Sequence, residues 1–313
     1  EHPRTASVLN ALAKDHVAFG RFDRATDLLQ EALQIRVQHF GVDAWQLFKS
    51  YESLGDLYAQ MAVDEEAIRS YRMARKIFLK HQTAAHPLNG YLLDKIGLSY
   101  QSLQLFAEAR LRHEAAVELL SQFSNGGHPH LSVVYNHLGN TYVKEGAFDK
   151  ALNQYRLGLN FSLRRKNINP VVEATLENNI GLCMMEKKRW AAAEEYFIAA
   201  LKKKKNHPAY LKNLALVAFH RRDSLRAQNL IQQAISANVF QIGQPFYGDK
   251  IKLIELLGLQ AKWGAKTSES AYELPLALAD SFQVQQQTAF RKQWKTVLLQ
   301  LYKDAVWYFY QQW

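Results

Sequence analysis

The sequence predicts an all-α fold in which helix–turn–helix hairpins stack into a solenoid. The main observation is that small residues recur at a fixed period, with four steps of 42 residues followed by one of 34. In the first helix of each hairpin these residues are Ala13, Gly55, Gly97, Gly139, Gly181 and Ala215. In the second helix two series keep the same steps, namely Ala25, Ala67, Ala109, Ala151, Ala193 and Ala227, and Ala32, Ala74, Ala116, Gly158, Ala200 and Ala234. Because one hairpin cannot bury its apolar face alone, three series with one period indicate an array of stacked hairpins.

Residues 135–161 show the hairpin most clearly. Apolar residues recur at helical spacing on both sides of Gly146, which breaks the pattern and predicts a turn. These residues are Leu138 and Tyr142 before the turn, and Phe148, Leu152, Tyr155 and Leu159 after it. Gly139 and Ala151 lie where two antiparallel helices would cross closely, and a larger side chain at either position would hold the helices apart.

The period divides the chain into a repeat array over residues 1–239 and a C-terminal segment over residues 240–313. The six repeats are expected at about residues 4–40, 43–81, 86–121, 129–163, 170–205 and 207–238. The turns of the second and sixth repeats contain no Gly. Asp23 and Asp64 follow the first two turns and are expected to cap the second helices.

The C-terminal segment is predicted to be helical and to cover the apolar end of the array. A helix is expected over residues 249–262, and a final helix over residues 285–311. One apolar stripe of the final helix consists of Phe290, Trp294, Val297, Leu298, Leu301, Ala305 and Phe309. Trp307, Tyr310 and Trp313 lie mostly on its other sides, and a helix that is apolar nearly all round is buried on more than one side. We therefore expect these three residues to contact a partner protein or a second copy of the chain. The alternative is that the final helix is buried within the groove of the array itself.

The pattern within each unit resembles the tetratricopeptide repeat, a helix–turn–helix of 34 residues. The residues that carry the resemblance are the small-residue series, His16, Tyr58, Tyr100 and Tyr142 in the first helices, and Phe22, Phe106, Phe148 and Trp190 near the turns. The longer period and the His-Pro pairs at His2, His86 and His128 resemble kinesin light chain repeats. Asn136 and Asn140 on either side of Gly139 resemble polarity scaffolds of the Pins/LGN type. The resemblance covers about residues 2–238 and implies a right-handed superhelix whose first helices line a concave groove.

Polar residues at equivalent positions of the first helices are the candidate binding site of this groove. They are Asn10, Lys14, Glu52, Asp56, Asp94, Asn136, Asn140, Asn178, Asn179, Lys212 and Asn213. Amide side chains both donate and accept hydrogen bonds, so a series of Asn residues can hold the backbone of an extended peptide. Kinesin light chain repeats carry an Asn pair that Asn178 and Asn179 match, whereas Glu52 and Asp94 depart from it and predict an acidic groove there. The alternative is a solvated polar face without a ligand.

The positive charge of the chain is concentrated near the end of the array. The formal net charge is +10, and residues 187–226 hold eleven Lys and Arg against three acids. The candidate basic patch consists of Lys202, Lys203, Lys204, Lys205, Arg221 and Arg222. We interpret the Lys run as the solvated end of a helix, where it favours the helix dipole. The alternative is a docking patch for an acidic partner, anionic lipid or nucleic acid, although interleaved aromatic residues that would stack on bases are missing.

The sequence carries no motif that predicts catalysis. It has no glycine-rich phosphate loop, no nucleophile elbow and no paired-histidine zinc helix. Among eleven His residues only His128 and His130 are close in sequence, so we expect no metal site and no cofactor. The single Cys183 excludes an internal disulfide and suits a reducing, cytoplasmic compartment, and no apolar run is long enough to span a membrane. Because the chain begins at Glu1 without Met, we expect it to be part of a longer protein.

The function predicted from these observations is a non-enzymatic scaffold or adaptor. It would bind a peptide or helix of a partner protein in the groove of the first helices. One alternative is a helical-repeat protein that binds nucleic acid through residues 187–226. Another is a peptide-sensing regulatory domain of a larger signalling protein.

Overall fold

The computed structural model describes residues 2–123, 127–165, 169–241 and 258–259. Within those ranges the secondary structure is helical, with twelve α-helices and no strand. The predicted final helix with Trp307, Tyr310 and Trp313 lies outside the described residues, as does all but residues 258–259 of the helix expected at 249–262. No helix in the described part of the chain combines the length and the apolar character needed to cross a membrane.

The helices form antiparallel pairs joined by short turns. The chain divides into two compact units, Glu1–Arg164 and Arg165–Trp313. The helices of the first unit are α1 (Pro3–Ala18), α2 (Phe22–Phe40), α3 (Phe48–Gln60), α4 (Asp64–His81), α5 (Pro87–Ser102), α6 (Phe106–Ser121), α7 (Leu131–Lys144) and α8 (Phe148–Arg164). Those of the second unit are α9 (Pro170–Glu186), α10 (Trp190–Lys203), α11 (Pro208–His220) and α12 (Ser224–Gln241). Each odd-numbered helix packs against the even-numbered helix that follows it, and successive pairs stack within each unit. The predicted all-α fold of stacked hairpins is confirmed.

Two of the His-Pro pairs, at His2 and His86, start first helices for a local reason. Pro occupies the first turn of α1 and α5, where its missing N–H leaves no helical hydrogen bond unmade. The preceding His2 accepts a hydrogen bond from the N–H of Arg4 at 3.2 Å, and His86 accepts one from the N–H of Leu88 at 3.1 Å. Asn169 does the same for α9, at 2.9 Å from the N–H of Val171. These side chains satisfy N–H groups that a helix start otherwise leaves without a partner.

The turns between paired helices share one backbone geometry whether or not they contain Gly. The residue in the left-handed region has a φ of 70° at Gly20 and 77° at Gly146, but also 54° at Ala62 and 64° at Gln104. In the second unit Lys188 and Arg222 take this position. The next N–H bonds the carbonyl five residues earlier, as from Val63 to Tyr58 at 2.9 Å, which closes the end of the first helix.

The predicted caps of the second helices are wrong. The helix α2 starts at Phe22 with Arg21 in the capping position, and α4 starts at Asp64 itself. Asp23 and Asp64 therefore lie in the first helical turn, where a carboxylate still favours the positive end of the helix dipole. The left-handed turn brings the chain into the helix one or two residues earlier than the Asp pattern indicates.

The small residues of the first helices are needed because an aromatic ring lies against most of them. A Cβ at Gly55, Gly139 or Gly181 would come closer than 3.0 Å to the ring found sixteen residues later. These rings are Tyr71, Tyr155 and Phe197, and His113 covers Gly97 in the same way. The predicted close crossing is confirmed, with a ring of the second helix as the crossing partner. The small residues of the second helices are themselves buried.

Candidate functional site

The predicted groove residues all lie on first helices, but they differ widely in exposure. In the first unit, Glu52 and Asp94 are buried, with relative exposures of 7% and 2%. Partly exposed are Asn10, Asp56, Asn136 and Asn140, while Lys14 is exposed. In the second unit Asn178 and Asn213 are buried, and Asn179 and Lys212 are partly exposed. The expectation that these side chains face water is therefore wrong for the four buried ones.

The buried members are used in hydrogen bonds between successive repeats. Positions are counted here from the small residue of each first helix. In each case the residue two positions before the small residue of one first helix bonds the residue three positions before the small residue of the preceding first helix. Nζ of Lys95 on α5 donates to Oε1 of Glu52 on α3 at 3.1 Å. Nδ1 of His137 on α7 lies 2.9 Å from Oδ1 of Asp94 on α5. The same positions thus hold neighbouring first helices together.

An equivalent side-chain hydrogen bond joins two first helices of the second unit. There Nδ2 of Asn213 on α11 donates to Oδ1 of Asn178 on α9 at 2.8 Å. Because the pair is buried, each group depends on the other for its hydrogen bond.

The expected acidic groove at the second and third repeats is also wrong. Burial would raise the pKa of Glu52, but Lys49 and Lys95 outweigh it and hold that pKa below its usual value. Lys95 also donates to Oδ1 of Asp56 at 2.8 Å. Asp94 is enclosed by imidazoles rather than by solvent. Each carboxylate of this region is therefore balanced by a positively charged or donating side chain.

We call the glycine of the small-residue series in a first helix the ladder glycine. The residue that follows it is hydrogen-bonded by the aromatic side chain that packs against that glycine. The hydroxyl of Tyr71 donates to Oδ1 of Asp56 at 2.7 Å, and that of Tyr155 donates to Oδ1 of Asn140 at 2.7 Å. In the third repeat the equivalent position holds Leu98 instead. The first unit therefore presents an apolar residue at this position between two oriented polar ones.

An exposed apolar strip on α5 was missed by sequence reasoning. Tyr91 and Leu98 are each 36% exposed, and their spacing of seven residues places them on one face of the helix. Nζ of Lys95, between them, lies 5.9 Å from the centre of the Tyr91 ring. The Tyr91 ring also stacks on the ring of His130, with ring centres 3.9 Å apart. The seven-residue spacing of two apolar residues was a signal available in the sequence.

The second feature missed by sequence reasoning is a cluster of three imidazoles around one carboxylate. Nδ1 of His113 lies 2.9 Å from Oδ1 of Asp94, and Nε2 of His130 lies 3.0 Å from Oδ2. Nδ1 of His137 lies 2.9 and 3.0 Å from the two oxygens. Burial alone would raise the pKa of Asp94, but His137, His113 and His130 hold it well below its usual value. We call these four residues the Asp94 cluster.

The sequence contained one signal for the Asp94 cluster. The ring that covers the ladder glycine is Tyr71, Tyr155 or Phe197 in three repeats, and His113 stands there in the third. The rest could not be seen, because Asp94 and His137 are 43 residues apart. Of the close pair His128 and His130, only His130 belongs to the cluster.

The basic patch is less positive than its composition suggests. Lys203 pairs with Glu173 at 3.1 Å and with Glu177, which lie on the preceding helix. Arg221 pairs with Glu194, to which Arg226 also bonds at 2.5 Å.

The other members of the patch are spread over different environments. The helix α10 ends at Lys203, so Lys204 and Lys205 follow it rather than forming its last turn. Lys202, Lys205 and Arg222 are exposed, and Lys204 is partly buried. The six residues therefore do not present one uniform cationic surface.

Comparison with known proteins agrees with the repeat geometry. Two family models described as tetratricopeptide repeat match residues 5–43 and 89–163. No curated protein sequence is similar enough to match the chain.

Solved structures share the fold at low sequence identity. BtubC (BKLC) from P. vanneervenii is 17% identical with a TM-score of 0.58, over 72% of this chain and 92% of its own. A putative kinesin light chain with nearly identical TPR-like repeats from Podosopora anserina is 16% identical with a TM-score of 0.56, over 66% and 99%. The apo form of the quorum sensor NprR from B. thuringiensis is 16% identical with a TM-score of 0.65, over 95% and 87%. At these identities the likeness shows the fold alone.

The paired helices, the recurring left-handed turns and the two matching family models lead to one conclusion. The chain is a tetratricopeptide repeat protein with an all-α solenoid fold.

Proposed function

We propose that this protein is a non-enzymatic scaffold that binds a peptide or helix of a partner protein on the first helices of the first unit. The observation that carries the proposal is the exposed strip of Tyr91 and Leu98 on α5. Partly exposed polar residues, Asp56 on α3 and Asn140 on α7, occupy the positions equivalent to Leu98 in the adjacent repeats.

This combination of groups suits a peptide. Apolar anchors supply most of the binding free energy at protein interfaces, while polar groups around them fix register and orientation. Asp56 and Asn140 are already oriented by Tyr71 and Tyr155, so little side-chain entropy is lost when a partner binds. Asn140 carries an amide, which both donates and accepts hydrogen bonds, as the peptide backbone does.

The proposal changes the roles of the predicted groove residues. Glu52, Asp94, Asn178 and Asn213 connect successive repeats, so they shape the face rather than grip the partner. Asp56, Asn136 and Asn140 remain candidates for contact in the first unit. Asn179 and Lys212 lie in the second unit and are therefore outside the proposed surface.

The test uses two leucines of the same repeat. Peptides that bind the wild-type protein are first selected from a displayed peptide library. Their affinity is then measured for Leu98→Lys on α5 and for the matched control Leu111→Lys on α6, where Leu111 is 54% exposed. We expect Leu98→Lys to weaken binding at least about tenfold, which corresponds to about 1.4 kcal/mol, and Leu111→Lys to leave it unchanged.

Two results would reject the proposal. One is a loss of affinity in Leu111→Lys with none in Leu98→Lys, which would place the binding face on the second helices. The other is a library that yields no peptide retained by the folded wild-type protein.

A further inference from the structure

We propose that the Asp94 cluster is a binding site for a divalent transition-metal ion, with Zn²⁺ as the best-suited ion. Asp94 lies on α5, His113 on α6 and His137 on α7, and His130 directly precedes α7, so one ion would join two successive repeats. Imidazole nitrogen and carboxylate oxygen are the ligand atoms that Zn²⁺ commonly takes in tetrahedral sites.

The distances within the cluster are close to those that such an ion requires. Ligand atoms about 2.0–2.1 Å from a tetrahedral Zn²⁺ lie roughly 3.3 Å from one another. The three ring nitrogens lie 2.9–3.0 Å from the oxygens of Asp94. The offered atoms of Asp94, His113 and His137 all lie within 4.8 Å of one another. Side-chain rotation would bring these three ligands to coordination distances, and a water molecule would complete a tetrahedral site. His130 lies outside this set and would hold the second oxygen of Asp94.

The charge of the cluster also favours a cation. The side chain of Asp94 is only 3% exposed, and an imidazole nitrogen lies within 3.0 Å of each of its two carboxylate oxygens. Burying a charge is costly unless a counter-charge or a metal accompanies it. A divalent ion bound among these groups would supply that counter-charge.

The position of His113 is the strongest sign that the cluster has a purpose beyond packing. Its side chain is completely buried, and its Nε2 atom has no hydrogen-bond partner among the described residues. Equivalent positions hold Tyr71, Tyr155 and Phe197, which fill the same space against a glycine. A Phe would avoid the cost of burying an imidazole with one nitrogen unpaired, so metal coordination would give the His a compensating role.

The experiment begins with the folded wild-type protein freed of metal by a chelator. Zn²⁺ is titrated by calorimetry, and Co²⁺ is titrated as a spectroscopic probe of coordination geometry. We expect one ion of each per chain, with the spectrum of a tetrahedral Co²⁺ site. Imidazole resonances of the wild-type protein should show that the rings of His113 and His137 respond to the ion and that the ring of His39 does not.

Substitutions then locate the site independently. His113→Phe copies the ring of the fifth repeat, and His137→Gln changes a side chain that is 19% exposed, so both should fold. Each should weaken Zn²⁺ binding at least about 100-fold, because loss of even an outer-shell partner costs 10–100-fold. The control His39→Gln removes an exposed imidazole elsewhere and should bind as the wild-type protein does.

The proposal is overturned if the wild-type protein binds neither ion at one per chain. It is equally overturned if His113→Phe and His137→Gln retain wild-type affinity, because the ion would then sit at another group of residues.

Discussion

Nδ2 of Asn213 lies 2.8 Å from Oδ1 of Asn178, and this bond between two buried side chains joins α11 to α9. Asn178 therefore contributes to stability in the empty protein, contrary to its expected role as a solvated groove residue. We predict that Asn178→Ala lowers the free energy of unfolding by about 1–3 kcal/mol, because it leaves the Asn213 amide buried without this partner.

The control for this prediction is Asn229→Ala on α12, where the Asn side chain is exposed. It should change stability by less than about 0.5 kcal/mol. Urea unfolding of both variants gives the comparison, and equal stabilities would show that the Asn178 bond contributes nothing.

The contact between each ladder glycine and the ring that packs against it predicts that substitutions at these two positions have coupled effects on the free energy of unfolding. Gly181→Ala should lower the free energy of unfolding by about 1–3 kcal/mol, because its Cβ would overlap the ring of Phe197. Ala13 and Ala215, which replace Gly in the first and last repeats, are followed sixteen residues later by Leu29 and Ile231. The chain thus pairs Ala with an aliphatic residue and Gly with a ring.

A double-mutant cycle measures this coupling. Gly181→Ala combined with Phe197→Leu should be less destabilised than the sum of the single variants, by at least about 0.5 kcal/mol. If the effects of the two substitutions simply add, the small residue is not needed to make room for the ring.

The turn geometry predicts a stabilising substitution. Gln104 has a φ of 64°, a region that costs a residue with a Cβ about 1–2 kcal/mol, whereas Gly enters it freely. Gln104→Gly should therefore raise the free energy of unfolding by up to about 1 kcal/mol. Thermal unfolding checks this against Ala107→Gly in the first turn of α6, which should lower stability. A destabilised Gln104→Gly would mean that the Gln side chain makes a contribution larger than its backbone strain.

The Asp94 cluster predicts a pH dependence of stability in metal-free buffer. The facing groups, His113, His130 and His137, hold the pKa of Asp94 below its usual value, so the folded state favours the ionised form. The resulting stabilisation is complete above the ordinary Asp pKa of about 3.9 and is lost as the pH falls through the lower folded-state pKa.

Asp94→Asn tests that dependence. It should lower the free energy of unfolding by about 3–5 kcal/mol at neutral pH, because it breaks a buried charged network. The difference from the wild-type protein should narrow as the pH falls below about 4. A difference that stays constant from neutral to acid pH would show that the charge of Asp94 does not matter.

The hairpins could be predicted because each depends on contacts within one repeat. Gly139 and Tyr155 are close in sequence, and their spacing repeats, so a period in the sequence is enough to reveal them. The bonds between repeats could not be predicted in this way. Whether Glu52 faces water or Lys95 depends on which side chain the next first helix brings beside it, 43 residues away.

The turn conformations and the helix starts could not be predicted for a different reason. Sequence patterns associate the left-handed turn with Gly and the helix start with Asp, but Ala62 and Gln104 take the left-handed conformation where the two helices of a pair are joined. Tertiary packing outweighs the local preference at these positions, so the turns exist where the pattern of turn residues is weak.

The proposed function requires that partners bind on the first helices around Tyr91 and Leu98. Amide hydrogen exchange of the wild-type protein, with and without a selected peptide, locates the binding face. We predict slower exchange in α3, α5 and α7 on binding, centred on α5, with exchange in α4 and α6 unchanged. Protection confined to α4 and α6 would contradict it.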